Sequence, residues 1–515
     1  MKRKLLSLIL ILACLVPTLA SCKKMESEKS GVFTANTDPA AMTDPLLGTL
    51  TFENPEIDKY IYELSERADF SGQTFTWCGN EGQAPEHEEE TGDIRNDALY
   101  LRQRQLEETF GLVWNNFWPP DLGTGNQGVY DHVMQDVMAG TGAYDLVYGT
   151  TIAIAQPLFL QNALSDLSGY QHVDLTREWW TPNLMDIYAI DGSIYFLNGA
   201  IVGSNYEDTY CIAFNKQIQE DYGIGDLYSL VYNNEWTFDK MIEIASVIPE
   251  NKNSSSVYRF GDPNGIATMY AHGMTLSKFD ENGLPYVEPA VPEELFDLAV
   301  KFSAIYGDEN ICATSLGDAS RFRESEWCIN KYGYEDYNEM FADNQFLFYF
   351  LTTGDAAWLR IHEVKFGILP VPKGDASQEN YISYTGTWGA SNVFVPKSAK
   401  NTELSDLMLE AMAALGYKYI KPAYYDKILK SRAMYDYESE GMIDIIFSTK
   451  VYDIIDFLAV GGNINMDSDF VRTVRGAIRE SSSSFASKYK MQAKIVNNNI
   501  KGILDKVERD QKTGR

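Results

Sequence analysis

The chain has 515 residues and a formal net charge of −30, from 73 acidic against 43 basic side chains. Such a surface repels nucleic acid and anionic lipid headgroups, which excludes both as partners. Its 5 scattered histidines and the lack of any CxxC leave no zinc ligand set, so neither metal nor cofactor is expected, while 32 Tyr, 25 Phe and 9 Trp predict a folded globular body.

Lys2-Arg3-Lys4 form a basic region, followed by an apolar run from Leu5 to Val16. About a dozen apolar residues are too few to span a membrane as a mature helix, and the basic flank with small residues downstream predicts a secretory signal over residues 1–21. Leu19-Ala20-Ser21-Cys22 resembles a bacterial lipobox, which implies a diacylated Cys22 at the mature N-terminus and anchoring outside the cell. An ordinary signal peptide with an incidental cysteine is the alternative. Residues 22–50 are polar and interrupted by Pro39 and Pro45, the composition of a flexible linker. The chain beyond them is too long for one core, and two domains are expected.

Thr74–Cys78 alternates and is rich in β-formers, a first strand opening into Gly79-Asn80-Glu81-Gly82 and the solvated acidic loop Glu86–Glu90. A helix is predicted from Asp93 to Phe110, a strand from Val113-Trp114, a helix from Tyr130 to Ala139 and a third strand over Tyr144–Gly149. This alternation is the pattern of a parallel α/β sheet. Ile194–Leu197 and Tyr210–Phe214 flank a Gly/Asn loop and read, by composition alone, as a hairpin. Helices follow at Asn215–Gly223, at Trp236–Ile248 with Thr237 as N-cap, at Pro292–Tyr306 and at about Tyr337–Leu351. Asp355–Ile361 and Lys365–Leu369 read as short strands, as does Val393–Pro396. From Glu403 onward the pattern is helical, with a stripe of Leu404, Leu407, Met408, Ala411 and Leu415. Cys312 and Cys328 are candidates for a disulfide or for buried thiols.

Of the catalytic motifs, there is no GxSxG, P-loop or HExxH. Asp280-Glu281-Asn282-Gly283 lacks the spacing of a calcium loop and reads as a turn. Carboxylates are so numerous that no glycosidase pair stands out.

Asn215-Lys216 after a strand, a helix ending Tyr222-Gly223-Ile224, and Trp236-Thr237-Phe238-Asp239 together resemble a signature of extracellular solute-binding proteins, the capture subunits of ABC importers, in the maltose-binding-like group. Gly354-Asp355-Ala356-Ala357-Trp358, Phe366–Lys373 with its two prolines, and Gly386–Lys397 resemble further segments of that family in the same order. Asp239 and Trp358 depart from the pattern, which has glutamate and methionine there.

The resemblance implies an α/β, two-lobed periplasmic-binding-protein-like fold, each lobe a central sheet flanked by helices, with a helical C-terminal region. It places lobe 1 at 51–203 with 361–400 returning to it, and lobe 2 at 204–360 with the helical 401–515 packing mainly on it. Under it the supposed hairpin becomes a crossing between lobes, with Gly354–Arg360 as the return crossing. The implied function is non-enzymatic: a lipid-anchored monomer on the outer face of the cell membrane captures a small solute, a mono- or oligosaccharide, by hinge closure and delivers it to an ABC permease. A secreted carbohydrate-active hydrolase and a ligand-presenting sensor remain as alternatives.

In open α/β sheets ligands lie beyond the carboxyl ends of strands. That rule nominates Trp77, Asn80 and Glu81 after the first strand and Thr150 and Thr151 after the third. The crossing adds Asn205 and Tyr206, and the return segments add Trp358, Arg360 and Trp388. Trp77 and Trp358 also read as core, Arg360 as a surface ion pair, and the others as solvated loop residues. Trp388, between Gly386 and Gly389, is best placed to stack on a sugar face. Trp179-Trp180 and Trp327 read as packing residues.

Overall fold

The computed structural model describes residues 52–513 except 80–82, 120–126, 183, 314–330, 360, 361, 363, 387–389, 425–436, 459–469, 472, 473 and 475–483, and of Trp358 it describes the backbone alone. The signal, the linker, Cys22, Trp327 and Cys328 lie outside these residues.

Two sheets organise the fold. The first has the order β12-β3-β1-β2, formed by β1 (Thr74–Cys78), β2 (Val113–Phe117), β3 (Leu146–Thr150) and β12 (Ser391–Phe394). β2 and β3 run parallel to β1, and β12 is antiparallel to β3, with Ser391 opposite Thr150. On the far side of β12, Leu197 pairs with Val393. The parallel strands need helical crossovers. Ile94–Phe110 supplies the first, capped by Asp93 through Arg95 N and Asn96 N and stopped by Gly111 at φ 66. Gln127–Ala139 supplies the second, with Gly140 at φ 62 after it.

The second sheet, order β10-β4-β9-β5-β8, holds β4 (Tyr210–Asn215), β5 (Tyr258–Gly261), β8 (Cys312–Ala313), β9 (Phe346–Thr352) and β10 (Phe366–Leu369). A ribbon of β6 (Lys278–Phe279) with β7 (Pro285–Tyr286) and a pair of β11 (Ser383–Tyr384) with β13 (Lys450–Val451) complete the strands. Ile194–Leu197 and Tyr210–Asn215 therefore serve different sheets, and the hairpin of the composition-only reading does not form.

The strands and helices of the second lobe correct further expectations. The helix expected over 337–351 stops at Ala342, and Phe346–Thr352 is the central strand of the second sheet. Asn344 takes φ 56 and ends the helical path, and the run Phe-Leu-Phe-Tyr-Phe-Leu is buried on both faces, so it shows no strand alternation. The strand expected at 355–361 is a helix over Thr353–Leu359. Thr352 and Asp355 cap it reciprocally: Thr352 N and Oγ1 donate to Asp355 Oδ2 at 3.1 and 2.8 Å, and Asp355 N donates to Thr352 Oγ1 at 3.2 Å. The return to the first sheet also comes later than 361. β10 pairs antiparallel with β4 in the second sheet, so only the segment from about 385 returns.

The C-terminal region divides between the lobes. Thr402–Leu415, N-capped by Asn401, buries Leu404 through Leu415 without a break and packs on the helices Pro55–Ser65 and Ile94–Phe110 of the first lobe, correcting the expectation that 401–515 packs mainly on the second. Tyr437–Ser448 packs on β10 in the second lobe. Phe485–Thr513 is a 29-residue helix lying against β7. No helix among the described residues is long and apolar enough to cross a membrane.

Candidate functional site

Among the described residues, two adjacent segments lead from strands of one sheet to strands of the other. The first, 203–209, begins as a 3-10 turn over Gly203–Tyr206 and enters β4. The second leaves β11 and enters β12. They are tied together where Thr209 bridges Thr385, with their hydroxyls 3.1 Å apart, and where Gly386 N donates to Asp208 O at 3.2 Å. Gly354 N donates to Glu207 O at 2.7 Å, binding the first crossing to the Thr353–Leu359 helix. That helix flanks the first crossing and belongs with the second sheet, so it is not the return crossing expected there; the return runs between β11 and β12, with Thr385, Gly386 and Ala390 its described residues.

Close approach explains two glycines. A Cβ on Gly203 would sit 2.6 Å from the Tyr424 ring, and one on Gly354 would sit 3.1 Å from Glu207 O. The crossing is stiffened from inside by Asn198 and Asn205. Asn198 Nδ2 donates to Asn205 Oδ1 at 2.9 Å and to Ser391 O at 2.9 Å, and Asn205 Nδ2 donates to Gly199 O at 2.7 Å. Lys450, from β13, donates to Asn205 O at 2.6 Å.

A charged cluster surrounds this knot. Asp208 has its carboxyl pushed up to about 7, first by burial and then by the charges of Glu207 and Asp355, with Lys450 opposing. Burial also raises Glu207, against the pull of Arg95. Arg95 comes from the first turn of Ile94–Phe110 and lies with its guanidinium 5.8 Å from the centre of the Tyr424 ring. Burial holds the Tyr148 and Tyr424 phenols well above their ordinary range, and both feel Arg95 and Glu207. A cation and two phenols on first-lobe elements thus meet a carboxylate on the crossing. Such a constellation can offer donors and acceptors to a polyhydroxylated solute, with ring faces beside them.

The residues nominated from sequence fall unevenly around this cluster. Trp77 is fully buried in β1, with its ring stacked on Tyr148 at 5.6 Å and 19°; it packs in the first lobe's core, and its Nε1 has no partner among the described residues. Thr151 is buried, with its N and Oγ1 both donating to Ala390 O and its Oγ1 accepting from Asn392 Nδ2. That side chain fixes the return crossing to the end of β3. Thr150, one residue earlier, keeps a buried hydroxyl with no partner among the described residues. Asn205 is consumed by the crossing itself. Tyr206 is half-buried against Phe447 and the Leu99–Ile420–Tyr424 cluster. Asn80, Glu81, Arg360 and Trp388 lie outside the described residues, as does the side chain of Trp358. Trp179 and Trp180 are buried and hydrogen-bonded to Glu410.

Sequence reasoning missed Arg95, Tyr148, Glu207, Asp208, Asp355, Tyr424 and Lys450. Glu207 and Asp208 directly follow Asn205-Tyr206 and were within reach of the strand-end rule. Lys450 and Tyr424 come from a region whose helical pattern gives no signal of proximity to the crossing. A separate cavity of about 580 Å³ lies in the second lobe, lined by His272, Lys278, Glu294, Asp297, Lys301 and Asp375 among others. It is built from other elements than the crossing.

No family model and no curated protein matches the chain. Solved structures do resemble it. A sugar transporter from Rhizobium etli in an open conformation aligns over 83% of this chain and 99% of its own, at 15% identity and a TM-score of 0.53. The galacto-N-biose-/lacto-N-biose I-binding protein of the ABC transporter from Bifidobacterium longum, in complex with lacto-N-biose, aligns over 85% and 98%, at 13% identity and 0.51. An ABC substrate-binding protein from Listeria monocytogenes in complex with cycloalternan aligns over 84% and 99%, at 12% identity and 0.50. The chain shares their two-lobed fold along almost their whole length.

Proposed function

We propose that the chain is the solute-capturing component of an ABC importer, taking up a mono- or oligosaccharide by closure of two lobes about the 203–209 and 385–390 crossings. The observation that carries this reading is the pair of tied crossings between two sheets, with the carboxyl end of β3 fixed to the return crossing where Thr151 N and Oγ1 donate to Ala390 O. Neighbours with the same fold hold lacto-N-biose and cycloalternan, which supports a carbohydrate as the cargo. Trp388, Arg360, Trp358, Asn80 and Glu81 remain proposed contacts, joined by Arg95, Tyr148, Thr150, Glu207 and Asp208. The protein performs no chemistry; closure follows from tighter binding to the closed form. Cys22 carries the lipid, the protein is a monomer at the outer face of the membrane, and a permease receives the solute.

A thermal-shift screen with lacto-N-biose, maltose, cycloalternan and monosaccharides, with amino acids and peptides as the contrasting set, tests the proposal. A rise in melting temperature with a sugar supports it. A rise confined to amino acids or peptides, or cleavage of an oligosaccharide during incubation, overturns it.

A further inference from the structure

The helix Phe485–Thr513 is not confined to one lobe. Its middle is fixed to the end of the β6–β7 ribbon: Val287 N donates to Asn497 Oδ1 at 2.8 Å, and Asn497 Nδ2 donates to Val287 O at 2.8 Å. The ribbon leads into the helix Glu293–Tyr306, whose Tyr306 ring lies 5.0 Å from that of Phe260 in β5 and 5.7 Å from that of Phe350 in β9. This first grip is therefore on the second lobe. Further along, Lys506 Nζ donates to Phe159 O at 3.0 Å and to Leu160 O at 2.7 Å, and lies 5.9 Å from the Phe159 ring centre. Those carbonyls end a helical run, Thr151–Leu160, that follows β3, so the second grip is on the first lobe. At 1.5 Å per residue the two grips stand about 13 Å apart on one helix. The helix Ile454–Leu458 packs against the Thr151–Leu160 run, β7 and the C-terminal helix alike.

The Thr151–Leu160 run is also tied at its other end. Thr151 donates through N and Oγ1 to Ala390 O at 2.9 and 2.8 Å, and Ala390 N donates to Gly386 O at 3.0 Å. Gly386 N in turn holds Asp208 O of the first crossing. One helical run thus joins the knot of the crossings to the C-terminal helix.

We propose that the C-terminal helix is a third bridge between the lobes and that its Lys506 contact restrains flexing of the crossings. This rests on the hinged two-lobe reading above. A stiff helix gripping both lobes cannot follow both when they rotate about the crossings, so one grip gives. Asn497 holds by two bonds on a helix whose neighbouring Val496 and Ile500 are buried. Lys506 holds by one partly exposed ammonium, and water can replace it on the carbonyls. The Lys506 grip gives first, and its strength sets how readily the knot between Asp208 and Gly386 loosens.

The test is hydrogen exchange read by mass spectrometry on the protein without solute, for the wild type, Lys506→Met and Lys494→Met. Its failure leaves the capture reading intact, and failure of the sugar screen leaves this test readable. Lys506→Met keeps an apolar stem over the Phe159 ring and loses the ammonium. Peptides containing Asp208 and Gly386 are expected to exchange about tenfold faster in it, the factor that losing one charged hydrogen bond gives. Peptides from β9 keep the wild-type rate. Lys494 is an exposed residue of the same helix, and Lys494→Met exchanges like the wild type throughout. Unchanged exchange at Asp208 and Gly386 in Lys506→Met overturns the proposal, even where the end of the C-terminal helix itself exchanges faster. So does an acceleration shared equally by β9, which marks a loss of overall stability, or one that Lys494→Met reproduces.

Discussion

Glu410 offers the sharpest test of how the first lobe is held together. It is fully buried in the Thr402–Leu415 helix, and four donors converge on its carboxylate. Oε1 accepts from Tyr60 Oη at 2.8 Å and Trp179 Nε1 at 3.1 Å, and Oε2 accepts from Trp180 Nε1 at 3.0 Å and Asp174 N at 3.1 Å. Glu410→Gln keeps the shape but turns one oxygen into an NH2, so two of the four donors face another donor whichever way the amide lies. At about 1–3 kcal/mol for each buried group left unmatched, the substitution costs about 2–6 kcal/mol. Over about 460 folded residues this lowers the melting temperature by about 2–6 °C. Burial raises the Glu410 carboxyl above its ordinary 4.5, so the wild type's advantage is fullest below that value and shrinks as pH rises through the folded-state value. The variant has no such titration, and the gap between the two therefore narrows from acid toward neutral pH. Calorimetry across that range measures both effects. A Glu410→Gln protein melting within about 0.5 °C of the wild type at every pH would show that the four contacts do not act as a matched set.

Three further outcomes are expected. Trp388→Ala abolishes the melting-temperature rise given by the sugar identified in the screen while leaving the solute-free melting temperature unchanged; an unaltered affinity removes Trp388 from the site. Gly203→Ala forces the Tyr424 ring away from a Cβ only 2.6 Å distant, costing about 1–3 kcal/mol and weakening solute binding together with stability. Phe348→Ala, in the fully buried centre of β9, costs about 3–5 kcal/mol by calorimetry. A loss below 1 kcal/mol there would mean that the second sheet repacks around the gap.

What could be read from the sequence depended on whether a residue's local pattern and its tertiary place agreed. Thr74–Cys78, the Asp93-capped helix and the Asn401-capped helix agree at both levels, and each appears close to its expected limits. Phe346–Thr352 does not: a strand buried on both faces has no alternation, so its run of aromatics and leucines passes for the end of a helix. Asp355 misled in the opposite sense, because the reciprocal cap with Thr352 outweighs the β-like look of the segment that follows.

The site divides on the same line. Strand ends are legible, so Thr150, Asn205 and Tyr206 were found beside the crossing, yet most of the charge around them was not. Lys450 stands more than two hundred residues from Asp208 and reaches it only because β13 pairs with β11, the strand that feeds the return crossing. Arg95 reaches Glu207 because the Asp93 cap starts the helix at Ile94 and so sets the face on which Arg95 lies. Both depend on strand register and helix phase, which no spacing in the chain records. The crossing is thus a backbone element whose position the sequence announces and whose electrostatics are assembled by the fold.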